Sequence, residues 1–148
     1  MKLSEIEGES MDSQHPKEIE LSSFRWGTFS GGGKAKSEGL VIVKSVDRTS
    51  PTLFQRCVLN LPLATAQLSV RKSGANASTT HDFIKITMTN VRIDAVRPSG
   101  SASDDLPHEE VVLLFTSMKI EVQEFNKQGA PAGLPIEGSW DFVAHKQI

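Results

Sequence analysis

The run from Glu110 to Phe125 constrains this chain more than any other segment. Val112, Leu114, Met118, Ile120 and Val122 fall on even positions, with Lys119, Glu121 and Gln123 on odd ones. That two-residue period is the signature of a β-strand. Val111, Leu113 and Phe115 make the odd positions apolar as well. A common strand is about 5–6 residues long, so one strand over the whole run overshoots a small barrel. It must bend, or part of it must pack on something besides its own core. One apolar face fills the core. The other needs the chain's helix or a neighbouring subunit, and periodicity does not choose between them. Val111, Leu113 and Phe115 are the candidate subunit-interface residues.

Strand patterns dominate the rest. Glu18 to Trp26 alternates, then switches phase near Ser22–Ser23, which predicts a bulge or burial on both faces. Gly27 to Lys36 reads as a loop, because Ser30, Gly31, Gly32 and Gly33 offer nothing to pack. Leu40-Val41-Ile42-Val43 reads as a strand buried on both faces. Ala64 to Lys72 alternates cleanly, and Ile136 to Ala144 closes the series with Ile136, Trp140 and Phe142 on one face. In Phe83 to Val96 the apolar parity changes between Met88 and Val91, again the mark of a bulge. One helix is predicted at about residues 50–60. Thr49 or Ser50 caps it and Pro51 suits its first turn. Leu53, Phe54, Cys57 and Val58 form its apolar stripe, and Asn60 and Pro62 end it. The expected fold is mainly β: a small antiparallel β-barrel or sandwich of six or seven strands with one short flanking α-helix.

A chain of 148 residues suits a single domain over 1–148 and needs no disulfide or metal to fold. The net charge of −2, with both signs interspersed, builds no field for nucleic acid. No apolar run approaches the ~18 residues of a membrane span. Glu5, Glu7 and Glu9 stand where a secretory signal would need a basic start and an apolar stretch. The chain is therefore expected to be made in the cytoplasm, with any export by a route that reads the folded protein.

No catalytic pattern survives inspection. His15, His81, His108 and His145 are scattered, with no ligand partner at i+2 or i+4, so they read as surface histidines and no metal site is expected. Gly31-Gly32-Gly33-Lys34 lacks the leading glycine and the following Ser or Thr of a phosphate loop; Thr28 and Ala35 stand there instead. Cys57 lies on the helix stripe, where a thiol is inert. Asp104–Asp105 and Glu109–Glu110 read as solvated charge clusters. Asn76-Ala77-Ser78 matches a glycosylation site in letters only.

Several segments, in one order along nearly the whole chain, carry a resemblance. They are Gly8-Glu9-Ser10 with Asp12 and His15, Glu18-Ile19-Glu20-Leu21, and Phe24-Arg25-Trp26-Gly27. Ser50-Pro51-Thr52-Leu53 with Cys57 follows, then Leu68 to Lys72 with Gly74, and Ile84 to Val91. Glu109 to Val122 and Gly138-Ser139-Trp140-Asp141 complete the set. Together they resemble the Hcp family, the haemolysin-coregulated proteins that form the inner tube of the type VI secretion apparatus. The resemblance implies a β-barrel with a flanking helix, assembled as a homohexameric ring. Rings stack into a tube inside a contractile sheath and below a spike protein, and the tube is ejected with effectors in its lumen. It implies no enzyme, no cofactor, no nucleic acid and no membrane insertion. It also implies secretion by the type VI system without a cleavable signal peptide. By position in the family pattern, Phe24 and Trp26 are expected to pack inward. Arg25 points to the opposite face, as the candidate lumen residue that contacts cargo. The glycine-rich loop after Trp26-Gly27 is shorter than is common in the family. The alternative is a monomeric ligand- or carbohydrate-binding β-sandwich. It would need an exposed aromatic platform, and the chain has no Tyr to build one.

Overall fold

The computed structural model describes residues 1–72 and 81–148; Asn76-Ala77-Ser78 and Gly74 lie outside them. The elements in chain order are β1 (Lys2–Leu3), β2 (Ser23–Gly31), β3 (Lys34–Ser45), α1 (Ser50–Val58), β4 (Leu63–Lys72), β5 (His81–Ser99), β6 (His108–Leu114), β7 (Ser117–Val122) and β8 (Ile136–Asp141). The fold is mainly β with one short helix, and every strand pairing is antiparallel. The spatial order β1-β4-β5-β6-β3-β2, with β7 and β8 branching from β5, curls into a half-barrel.

The 19-residue strand β5 is shared by two half-sheets. Its first half pairs with β4 and β7, and its second half pairs with β6. Ile86 and Met88 face the core before the turn-over point, and Val91 and Ile93 after it. The change of parity falls at Asn90, whose φ of +52° re-aims the strand, and a register shift between Ile93 and Ala95 follows. The predicted irregularity is therefore real, and it is where one sheet becomes two.

The run Glu110–Phe125 is not one strand. β6 stops at Leu114 and β7 begins at Ser117, on different half-sheets. The break reverses the inward parity: Val111 and Leu113 face the core from β6, and Met118 from β7. Two ordinary strands replace one overlong one, which explains why both parities are apolar. The stretch Gly27–Lys36, expected as a loop, is mostly strand. β2 and β3 pair down to Gly31↔Lys34, and the chain reverses at Gly32 and Gly33 with φ of +61° and +79°. A two-residue turn with both φ positive matches the twist of a hairpin, and two glycines adopt it without steric cost. The bulge in this hairpin lies between Trp26 and Thr28, where Glu38 and Gly39 stand opposite Gly27, rather than near Ser22–Ser23.

The core gathers Leu3, Ile6, Ile19, Leu40, Ile42, Leu53, Leu63, Leu68, Met88, Val91, Val111 and Leu113, all buried. α1 lies against β5 and buries Leu53, while Phe54 and Val58 stay exposed. The helix stripe is thus narrower than its sequence period implied. Thr49 occupies the N-cap, but its hydroxyl donates to Asp47 instead of capping, and Asn60 at φ +52° ends the turn.

Candidate functional site

Arg25 sits on β2 with its Cα opposite Val41 of β3, on the face away from the core. Its side chain is 74% exposed, and its guanidinium lies 3.6 Å from Glu110, which also pairs with Arg97 at 2.8 Å. Exposed pairs of this kind contribute about 0–1 kcal/mol, so Arg25 can exchange its partner at little cost. Phe24 and Trp26 stand opposite Ile42 and Leu40, but neither joins the core that was expected to take them. β2 is an edge strand, and each of the two residues remains 37% exposed. Packing inward is therefore incomplete in the isolated subunit.

Val111, Leu113 and Phe115 require a correction. Val111 and Leu113 are 0% exposed and fill the subunit's own core, so they cannot meet a neighbour without unfolding β6. Phe115 packs edge-on against Phe142, with ring centroids 5.9 Å apart. The outward positions of β6 are Val112 and Leu114, and Leu114 is exposed. Larger apolar exposure lies elsewhere: Phe54, Val58, Leu59 and Leu61 along and after α1, Phe29 on β2, and Leu134 and Ile136 at the start of β8. β2 pairs only with β3, and β8 only with β7, so each presents an edge that pairs with no strand among the described residues. Contiguous apolar exposure and open strand edges are features that a solitary subunit normally avoids.

Two charged clusters escaped the sequence. Lys44 is wholly buried, and its ammonium donates to Glu109 at 2.7 Å, Asp47 at 2.8 Å and the Ser45 carbonyl at 2.8 Å. Ser50 donates to the same Glu109 oxygen at 2.7 Å. Glu109 is buried, not solvated: Lys44↔Glu109 is a register pair of β3 and β6. The network ties the start of α1 to the sheet. Burial pushes the Asp47 carboxyl up, but hydrogen bonds from Lys44 and Thr49 outweigh it and hold the group below the ordinary range.

The second cluster centres on His15, which is not a free surface histidine. Its two ring nitrogens lie 2.9 Å from Glu18 and 2.9 Å from Asp82. Arg71 of β4 grips Asp12 at 2.5 and 2.9 Å. The spacing Asp12, His15, Glu18 is the one signal in the sequence that could have located it. These residues line an open cleft of about 620 Å³ with Leu21, Phe24 and Ser69, between the N-terminal segment, β2 and β4. Among the described residues no group of three or more His, Cys, Asp or Glu side chains is arranged to hold a metal ion. None of the helices there is long and apolar enough to cross a membrane. Cys57 is half-buried against the core.

The sequence profile of the family described as "Type VI secretion system effector, Hcp" matches residues 1–122. The Pseudomonas aeruginosa protein named hcp1 is 27% identical over 157 residues, covering 99% of this chain and 96% of that one. The crystal structure of Hcp1 from Salmonella typhimurium superposes with a TM-score of 0.84 at 32% identity, covering 99% of this chain and 95% of that one. The structure described as that of a type six secretion system protein superposes with a TM-score of 0.90, covering 99% of this chain and 96% of that one. At 24% identity it speaks for the fold alone. Matches along this much of the chain, with the same curled sheet and single helix, mean that the chain belongs to the Hcp family of type VI secretion system proteins.

Proposed function

We propose that this chain is a single-domain, non-catalytic subunit of the type VI inner tube. In this reading six copies form a ring, rings stack below the spike and inside the contractile sheath, and effectors travel in the lumen. The protein is made in the cytoplasm and leaves through the type VI system without a cleavable signal peptide. The observation that carries this is the pair of open edges, β2 and β8, each flanked by exposed apolar side chains. Two different surfaces on one subunit suit a head-to-tail contact, which closes into a ring when the rotation per subunit allows. Phe24 and Trp26, half-covered at the β2 edge, gain burial in such a contact.

Light scattering on the purified protein tests the ring. The expected mass is about six times 16.1 kDa. A monomer at micromolar concentration would sink the proposal, and would favour a ligand-binding β-sandwich that uses the cleft beside Phe24. Arg25 is assigned to the lumen as a cargo contact. Arg25→Ala is expected to leave the ring mass unchanged and to reduce the effector that co-purifies with it. Undiminished effector would remove that assignment.

A further inference from the structure

His15 lies in the segment between β1 and β2, and both of its ring nitrogens face carboxylates. Nδ1 is 2.9 Å from Glu18 Oε1, and Nε2 is 2.9 Å from Asp82 Oδ1. A neutral imidazole carries one N–H and can donate to only one of them. At the other nitrogen a lone pair then meets the lone pairs of a carboxylate. Both contacts are attractive together only when the ring carries two protons, or when one carboxyl keeps its own. The bridge joins residues 67 apart in sequence, from the N-terminal segment to the start of β5. We propose that His15 is a proton-operated clasp that holds the N-terminal segment onto the β4–β5 end of the sheet and releases it as pH rises.

The surroundings support a charged ring. On its own segment His15 meets Glu18, and its backbone amide donates to Asp12 at 3.1 Å. From β5 it meets Asp82. From β4 comes Arg71, which pairs with Asp12 at 2.5 Å and lies 3.7 Å from Asp82. The Met1 amino group stands 3.2 Å from Glu18, and Glu20 lines the same cleft. Four carboxylates thus surround three cations once the ring is counted. Burial favours the neutral ring, but the hydrogen bonds to Glu18 and Asp82 outweigh it and raise the imidazole above its ordinary value. A raised value in the closed state fixes the sign. The clasp contributes fully below the ordinary value of 6.5 and is lost as pH rises through the closed-state value.

The measurement is a ¹⁵N-detected histidine titration of the full chain. Both His15 nitrogens are expected at imidazolium shifts below pH 6.5, with a midpoint above 6.5. Hydrogen exchange reads the loosening of the segment that follows release. The Gly8, Ser10 and Lys17 amides, bonded to the Lys17, Glu18 and Ser10 carbonyls, report on the clasped segment. After correction for intrinsic rates, their opening constant should rise by up to about tenfold per pH unit between the open- and closed-state values. His15→Asn should abolish that rise, and Asp82→Asn should lower the midpoint. A single neutral tautomer below pH 6, or a midpoint at or below that of the free side chain, would overturn the proposal. So would an unchanged exchange profile in His15→Asn. The wild-type titration decides the matter even if a variant fails to fold.

Discussion

Lys44 has no solvent around its ammonium, and its charge is met by Glu109, Asp47 and a backbone carbonyl. Taking two charges out of water costs several kcal/mol per ion, so such a network holds only while every member is present. Lys44→Met leaves Glu109 buried without a counter-charge. The expected loss is about 3–5 kcal/mol, read by urea denaturation. Lys44→Met with Glu109→Leu should recover most of it, because the stranded carboxylate is gone. A double-variant loss equal to the sum of the two single-variant losses would mean the two charges are not coupled. Glu109 was read from the sequence as half of a solvated acidic pair. Parity along one strand assigns a face, but it does not reveal that a lysine on another strand fills the same buried register. The Gly8-Glu9-Ser10 signature carries a family likeness, and the structure supplies a reason for its glycine: a Cβ on Gly8 would lie 2.2 Å from the Glu18 carbonyl oxygen.

At the scale of elements, the β2–β3 hairpin shows how turn chemistry sets register. Gly32 and Gly33 both need positive φ, and nothing stands within 4 Å of a Cβ at either. Gly32→Asn should therefore change stability by less than about 0.5 kcal/mol, since Asn tolerates that conformation. Gly33→Val should cost about 1–2 kcal/mol by thermal or urea unfolding, from left-handed strain alone. A Gly33→Val protein as stable as the parent would show that the turn relaxes elsewhere. Composition mistook the flanks of this turn for loop, because glycine and serine mask a pairing made by the backbone. Periodicity did better where side chains decide. It found the alternation of β4, the irregularity of β5 and the position of α1. It failed at Phe115–Thr116, where a break too short to leave a compositional mark hands the chain from one half-sheet to the other.

For the molecule as a whole, the acid limit of stability follows from carboxylates held below their ordinary values. Asp12 accepts from the Gln14 amide and from Arg71, Asp141 from the Ala144 and Val143 amides, and Asp47 from Lys44 and Thr49. Depressed values mean that their contribution is present above the unfolded value and is lost as pH falls through the folded one. Stability measured by urea midpoint should therefore fall on the acid side, and Asp47→Asn should flatten that fall. A midpoint independent of pH there would contradict the sign. The assembly was the least legible level. Which apolar surface remains uncovered depends on the curl of the whole sheet, and Val111 and Leu113 point inward only because β6 lies between β5 and β3.

That placement of β6 has a consequence in time as well as in space. During synthesis the β2–β3 hairpin leaves the ribosome first, with one side of β3 awaiting a strand whose Glu109 lies 65 residues after Lys44. At about 5–20 residues per second the wait is roughly 3–13 s. Through that interval Lys44 is a charge on a bare strand edge still without Glu109, and a charged edge discourages nascent chains from zipping together. The same lysine that ends up sealed in the fold thus begins as its guard against aggregation.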